Sequence, residues 1–321
     1  MKLGVLTVPL YNLSLEEAFK YLSGLGVQTV ELGAGGYVGK GHIDPKDYLD
    51  SPAKVDELKA LLKKYNLEIS ALSVHSNHVH PDKEIAELAH KEFIDACKLA
   101  QKLGLDTINT FSGCPGDQPG ARYPNWVTCA WPPDYQAILE YQWNDVLVPY
   151  WKSASKQAAE YGVNKIALEL HPGFCVYNTA TMLRLREAVG DAMGANLDPS
   201  HLFWQGINPV EAIKALKGAI YHFHAKDTKI DARNTEVNGA LDTGHYGNIL
   251  ERSWVFRTIG YGHDYTVWKE IVSTLRAVGY EGAVSIEHED SLMSVTGGLE
   301  SAIKFLQNVI LFEKPAEMWW A

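Results

Sequence analysis

Cysteine is scarce. The 321 residues contain four (Cys97, Cys114, Cys129 and Cys175), with no C-x-x-C spacing among them. That argues against a disulfide-stapled secreted scaffold and suits reduced thiols in a cytoplasmic protein. Positive charge is also short: 29 Lys and Arg against 39 Asp and Glu leave a formal net charge of -10. The basic residues are scattered, so neither nucleic acid nor an anionic membrane is expected as a partner. No apolar run reaches membrane-spanning length, and the opening "MKLGVLTVPLYN" returns to polar residues too soon for a signal peptide. A dinucleotide fingerprint is missing as well, since "GAGGYVGKG" matches neither G-x-G-x-x-G nor a P-loop. The rest is ordinary globular composition, 46% hydrophobic, with enough apolar mass for a sizeable core.

One supersecondary signal recurs. In "FKYLSGLGVQTVELG", "KLAQKLGLDTINTFSG", "KQAAEYGVNKIALELHPG", "REAVGDAMGANLDPSH", "IKALKGAIYHFHAKD" and "LRAVGYEGAVSIEHED", a helix-period segment ends at Gly and a short β-rich run follows. Glycine just past a helix suits a left-handed cap before entry into a strand. "KLGVLTVP" and "LEISALSVH" bring the strand candidates to eight, with helices expected over 14–24, 52–65, 84–103, 134–161, 179–189, 209–217, 266–278 and 297–311. Eight β-then-α units predict an α/β fold, a single (β/α)8 TIM barrel over 1–321 with long loops after strands 2, 4 and 7. Those loops, 33–51, 112–133 and 229–262, are rich in Gly, Pro and aromatics, including Trp126, Trp131 and Trp254. They are expected to wall or cover a pocket on the C-terminal face of the barrel.

Ionisable residues gather at that face. The fifth strand ends in Glu169 and His171; the sixth in Asp198, with His201 three residues on. The seventh places His222, His224 and Lys226 on one face by alternation and Asp227 on the other. The eighth places Glu287 and Glu289 together, opposite His288 and Asp290. Carboxylates crowded into a barrel mouth repel one another, and desolvation makes this worse. A divalent cation turns that repulsion into shared coordination.

At "ALELH", "NLDPSH", "HFHAKD", "GYGHD" and "SIEHED" the chain resembles the sugar phosphate isomerase/epimerase family, the xylose isomerase-like barrels related to ketose 3-epimerases, over nearly its full length. The resemblance implies one divalent metal held by Glu169, Asp198, His224 and Glu287. His224 is preferred to His222 by the family's His-x-Lys/Asn-Asp pattern, and Glu287 to Glu289 because it directly follows the apolar Ile286. Three carboxylates and one imidazole favour Mn²⁺, with Mg²⁺, Co²⁺ and Zn²⁺ also compatible. The resemblance also gives Glu169 and Glu287 acid/base roles on opposite faces of a sugar, with proton abstraction beside a carbonyl through a metal-bound enediolate. It makes His201 a substrate contact.

Other candidates come from position alone. Lys226 faces the barrel mouth and could polarise a substrate oxygen or pair with a carboxylate; Arg257, just before "IGYG", could hold substrate oxygens or pair likewise. Of His75, His78 and His80 after the third strand, His78 is taken as a substrate contact, although parity does not settle which one turns inward. Asp227 suits a supporting role and His171 a pocket wall. "TGGLE" at 296–300 could receive a phosphate but reads more simply as a turn, so a neutral sugar is expected.

Four functions compete. The first is a metal-dependent sugar isomerase or epimerase. The second uses the same site as a lyase on 3-keto glycosides or a C-deglycosylating subunit. A phosphodiesterase of the AP-endonuclease type would need an Asp/His pair before G-x-G, where this chain has "VFRTI". A non-catalytic sugar binder would have no use for opposed glutamates. The terminal "FEKPAEMWWA" exposes two tryptophans that would dock on the chain's own surface or on a neighbour, so a homo-oligomer, or a partner subunit, is expected.

Overall fold

The computed structural model describes residues 1–320. Eight parallel strands close into a barrel: β1 (Lys2–Leu6), β2 (Thr29–Gly36), β3 (Glu68–His75), β4 (Thr107–Thr110), β5 (Lys165–Glu169), β6 (Met193–Leu197), β7 (Ile220–Ala225) and, last in sequence, β10 (Ala283–Ile286). The order around the barrel is β1-β10-β7-β6-β5-β4-β3-β2, every pair parallel. Helices join the strands, and an apolar layer that includes Phe19, Phe93, Trp151 and Trp268 fills the space between helices and barrel. No helix among the described residues is long and apolar enough to cross a membrane.

The helix limits follow from caps readable in the chain. Ser14 and Glu17 form a reciprocal capping box at the start of Leu15–Gly24. Gly104, at φ 75°, ends Lys83–Leu103 in the left-handed region that the "KLGLD" pattern calls for. The helix expected over 134–161 is interrupted: Asp134–Glu140 and Val148–Glu160 flank a π-helical segment, Tyr141–Leu147. Pro149 offers no N–H and crowds the carbonyl one turn back, and the wider turn before it accommodates both.

Two of the three long loops have structure of their own. β2 runs on to Gly36, and a short helix, Pro45–Asp50, follows it. The segment after β7 builds an antiparallel hairpin, β8 (Asp227–Ile230) with β9 (Trp254–Arg257), around a helix at Ala232–Asn238. Asp227 fastens this segment. Its carboxylate accepts from the backbone N–H of Gly260, Gly262 and His263, from His263 Nδ1 and from Trp268 Nε1. Gly262 sits so close to Asp227 and to Thr228 O that a Cβ there would collide with both. At the C-terminus Trp319 and Trp320 are 87% and 67% exposed, so they do not dock on the chain's own surface.

Replacing Asp227 by Ala leaves these donors without their acceptor. It should lower unfolding free energy by roughly 2–4 kcal/mol in denaturant titration, with the far-ultraviolet signal of the folded barrel retained.

Candidate metal centre

Strand alternation aims the polar residues inward. From β5, Glu169 reaches the barrel axis at 2% exposure; from just beyond β6, Asp198 arrives at 0%. Asp198 divides its two oxygens. Oδ1 accepts the Ser200 N–H and caps the helix Pro199–Phe203, while Oδ2 meets the Lys226 ammonium. β7 contributes His224 and, one residue past its end, Lys226; β10 is followed directly by Glu287. Glu169, Asp198, His224 and Glu287 each offer one donor atom, and all four atoms lie within 4.8 Å of one another.

Three further side chains tighten this cluster. His201 Nε2 donates to Glu169 Oε1 at 2.9 Å, and His75 Nε2 lies 2.9 Å from Glu169 Oε2. Lys226 Nζ lies 2.6 Å from Glu287 Oε2, 3.1 Å from Asp198 Oδ2 and 3.1 Å from Glu289 Oε2.

The electrostatics follow from these contacts. Burial alone would raise Glu169, but the histidines around it, His201 first, hold it well below the usual carboxylate range. Glu287 is likewise pushed up by burial, and Lys226 overrides this and pulls it down to about 2. For Asp198 burial wins. Lys226 offsets it only in part, Glu169 and Glu287 add repulsion, and the carboxyl is lifted to about 7. Burial, helped by His171 and Lys226, brings His201 down to about 3. Its contact with Glu169 is therefore a hydrogen bond from a neutral ring rather than an ion pair. Burial opposes charge on His224 and Lys226 too, but the surrounding carboxylates keep both well above their ordinary values.

Beneath the cluster lies a carboxylate that the sequence reading did not single out. Glu31 on β2 is fully buried and accepts from Ser73 Oγ, Asn109 Nδ2 (2.8 Å) and Ser285 Oγ (2.7 Å). His224 Nε2 lies 3.0 Å from both of its oxygens. A carboxylate has only acceptors, so Nε2 carries the hydrogen. Nδ1 is turned toward Glu169 and Glu287, 3.5 and 3.2 Å away, and has no hydrogen-bond partner. The signal was present in "TVELGAGG": a lone carboxylate in an apolar strand must find partners inside the barrel.

The residues fit a divalent cation. His224 Nδ1 lacks a hydrogen-bond partner, and Asp198 Oδ2 is met by the Lys226 ammonium at 3.1 Å. Both converge with two glutamates, and the set is three oxygen ligands to one nitrogen. A ligating histidine commonly rests its other nitrogen on a carboxylate, and Glu31 supplies that contact at His224 Nε2.

Two lobes open beside the cluster. One, about 380 Å³, is walled by His75, Phe111, Glu169, Lys226 and Glu287 among others. The second, about 710 Å³, lies beside the β8–β9 hairpin against Tyr246, Val255, Phe256 and Met293. They share His171, His288, Glu289 and Val295.

Several expected residues sit elsewhere. His78 is packed among Phe93, Tyr150 and Trp151, with Nε2 2.7 Å from Thr110 Oγ1, outside both lobes. β3 ends with His75 facing inward; the chain then turns, so the third strand's contribution is His75. Arg257 pairs with Asp290 at 3.1 Å and lines neither lobe, the simpler of its two readings. The loop 112–133 also walls neither lobe. Its Trp126 borders a separate cavity of about 290 Å³ with Trp143 and Arg184. Trp254 stacks on Trp204, and in "TGGLE" Gly297 donates to the helix cap Ser294 while Gly298 makes room for His288.

A family model described as "Xylose isomerase-like TIM barrel" matches residues 19–309. A curated relative, the "Uncharacterized protein YfiH" of Bacillus subtilis (strain 168), is 39% identical over 313 residues, 97% of this chain and 99% of that protein. Among solved structures, the IolI protein with a bound zinc atom superposes with a TM-score of 0.67 at 20% identity, covering 97% of this chain and 98% of that one. The 3-keto-D-glucoside 4-epimerase YcjR from E. coli gives 0.66 at 15% identity, covering 96% and 99%.

Divalent metal added to chelator-treated protein should raise its thermal midpoint as binding to the folded state requires. Replacing Glu31 by Gln should weaken metal affinity about 10- to 100-fold in calorimetric titration.

Proposed function

The chain belongs to the xylose isomerase-like TIM-barrel family, and from that premise we propose that it is a divalent-metal-dependent sugar isomerase or epimerase. Mn²⁺ is the ion favoured by the oxygen-rich set, and the substrate is a neutral sugar or glycoside. The single observation that carries this reading is the convergence of Glu169, Asp198, His224 and Glu287 on one point beside a 380 Å³ lobe. When bound there, the ion supplies positive charge to oxygens that become anionic as a carbon-bound proton leaves.

The chain's own residues divide the remaining work. Glu169 comes from β5 and Glu287 from β10, with β6 and β7 between them in the barrel order, so they approach a ring from different sides. Glu169, held ionised by His201 and its neighbours, takes the proton from the carbon beside the carbonyl. Glu287, itself ionised, delivers at the other face a proton that it takes from the Lys226 ammonium 2.6 Å away. Glu169 then gives up its proton and Lys226 regains one through water. His201, fully buried and lining neither lobe, acts from behind: it orients Glu169 through its 2.9 Å hydrogen bond. Lys226 sets its ammonium at the floor of the lobe, where it holds a substrate oxygen. Asp198 and His224 complete the ligand set.

A second reading uses the same proton removal. On a 3-keto glycoside the electron pair left on carbon expels the neighbouring group, which departs with a proton, and the product is an unsaturated sugar. The 710 Å³ lobe adjoining the cluster favours a substrate large enough for this.

With Mn²⁺-loaded protein in deuterated water, the true substrate should gain deuterium at one carbon. Glu169→Gln and Glu287→Gln should each cut that exchange on the order of 10²- to 10⁴-fold while melting remains cooperative. Exchange that survives either substitution contradicts the assigned roles.

A further inference from the structure

A free monosaccharide does not need the larger lobe. Cavities that bury drug-sized ligands run from roughly 300 to 1,000 Å³. The lobe beside Glu169 and Glu287, about 380 Å³, already suffices for a sugar ring, and the second adds about 710 Å³. Its walls are mostly apolar, and some of them face water: Tyr246 is 55% exposed and Val295 37%. Apolar surface gathered in a concave wall is a common mark of a binding face.

This wall is built from behind. Arg252 is only 2% exposed, and its guanidinium lies 4.3 Å from the centre of the Tyr246 ring and 4.8 Å from that of Trp254. Its nitrogens donate to Gly244 O and Trp254 O, and Asp242 lies beside it. Trp254 stacks on Trp204 at 4.6 Å with 6° between the planes. Phe256, next in alternation on β9, lies nearly parallel to Tyr246, 6.0 Å away at 16°. Lys226 Nζ stands 4.7 Å from the centre of the Phe256 ring, so the aromatic wall starts where the carboxylate cluster ends. A buried cation thus holds an exposed tyrosine flat against the open side of the site. That arrangement reduces the ordering cost of stacking a ligand on it.

The lobe's polar lining is His171, His288, Glu289, Asp290 and Ser291, and two of these are already engaged. Glu289 meets Lys226 at 3.1 Å. Asp290 accepts from Arg257, Thr258 N and Leu292 N. These polar residues leave the stacked Tyr246 and Phe256 with Val255 and Met293 as an apolar wall, which suits a flat apolar group better than the hydroxyls of a second sugar ring.

We infer that the lobe takes a planar, apolar substituent carried by the sugar, so that the ligand is a glycoside with an aromatic aglycone. The inference rests on the reading that Glu169 and Glu287 act on the sugar itself, and it adds what the other end of the ligand must be.

Calorimetric titration of the Mn²⁺-loaded, full-length chain tests this, using phenyl and methyl glucosides of both anomers, their 3-keto forms and cellobiose. A phenyl glycoside should bind about tenfold more tightly than its methyl counterpart, the increment expected when ring stacking adds to area burial. Tyr246→Ala should remove most of that ratio and Tyr246→Phe should keep it. Equal binding of phenyl and methyl forms, no glycoside binding, cellobiose matching the phenyl forms, or a ratio insensitive to Tyr246→Ala each overturns the inference. Deuterium exchange into free ketoses, measured alongside, separates the two ideas. Exchange without a phenyl preference removes only the aromatic aglycone, while a phenyl preference without exchange into any sugar removes only the acid/base reading.

Discussion

Three carboxylates that share one point govern this structure. The buried Glu169 and Asp198 meet the partly exposed Glu287 at the barrel mouth, and a fourth carboxylate, Glu31, lies fully buried just below. Like charges so placed repel strongly, and low dielectric magnifies the effect. The protein answers with positive charge and with oriented donors. The adjoining carboxylates favour the charged form of Lys226 and, until a cation displaces the proton on Nδ1, of His224, and neutral His201 hydrogen-bonds Glu169. The compensation is uneven, as Asp198 shows by its lifted titration. A divalent ion held by Glu169, Asp198, His224 and Glu287 would remove the imbalance, and the four residues fit one.

Neighbouring features serve to keep those side chains in place. Asp198 is anchored by capping a helix with the oxygen it does not need. Glu31 fixes which nitrogen of His224 faces the cluster. In "HFHAKD" the alternation of a single strand sends His224 and Lys226 inward and Asp227 outward, where it fastens the segment that carries the β8–β9 hairpin. Fold stability and site shape therefore depend on adjacent residues of one motif.

Much of this was legible in the chain. The helices Pro52–Tyr65 and Thr179–Val189 fall at the limits expected from periodicity and caps, and the eight-fold repeat identifies the barrel. Strand alternation and a shared height at the barrel mouth narrowed the ionisable groups to a handful, and the resemblance to the xylose isomerase-like barrels picked Glu169, Asp198, His224 and Glu287 from among their neighbours. What failed did so at chain turns. His78 was preferred to His75 because sequence does not reveal where β3 stops, and one residue of extra strand changes which histidine faces inward. The hairpin was hidden in a segment whose two short strands lie 23 residues apart, from Ile230 to Trp254, too far for a turn signal to link them. Arg252 gave no hint of its burial, since only the folded loop brings Tyr246, Trp254 and Asp242 around it.

The central claim is that one divalent ion sits among Glu169, Asp198, His224 and Glu287. An anomalous difference map from crystals grown with Mn²⁺ tests it most directly. The account predicts a single strong peak per chain, roughly 2.0–2.6 Å from a carboxylate oxygen of each acid and from His224 Nδ1. A peak elsewhere, or none from protein that is fully active, would contradict it.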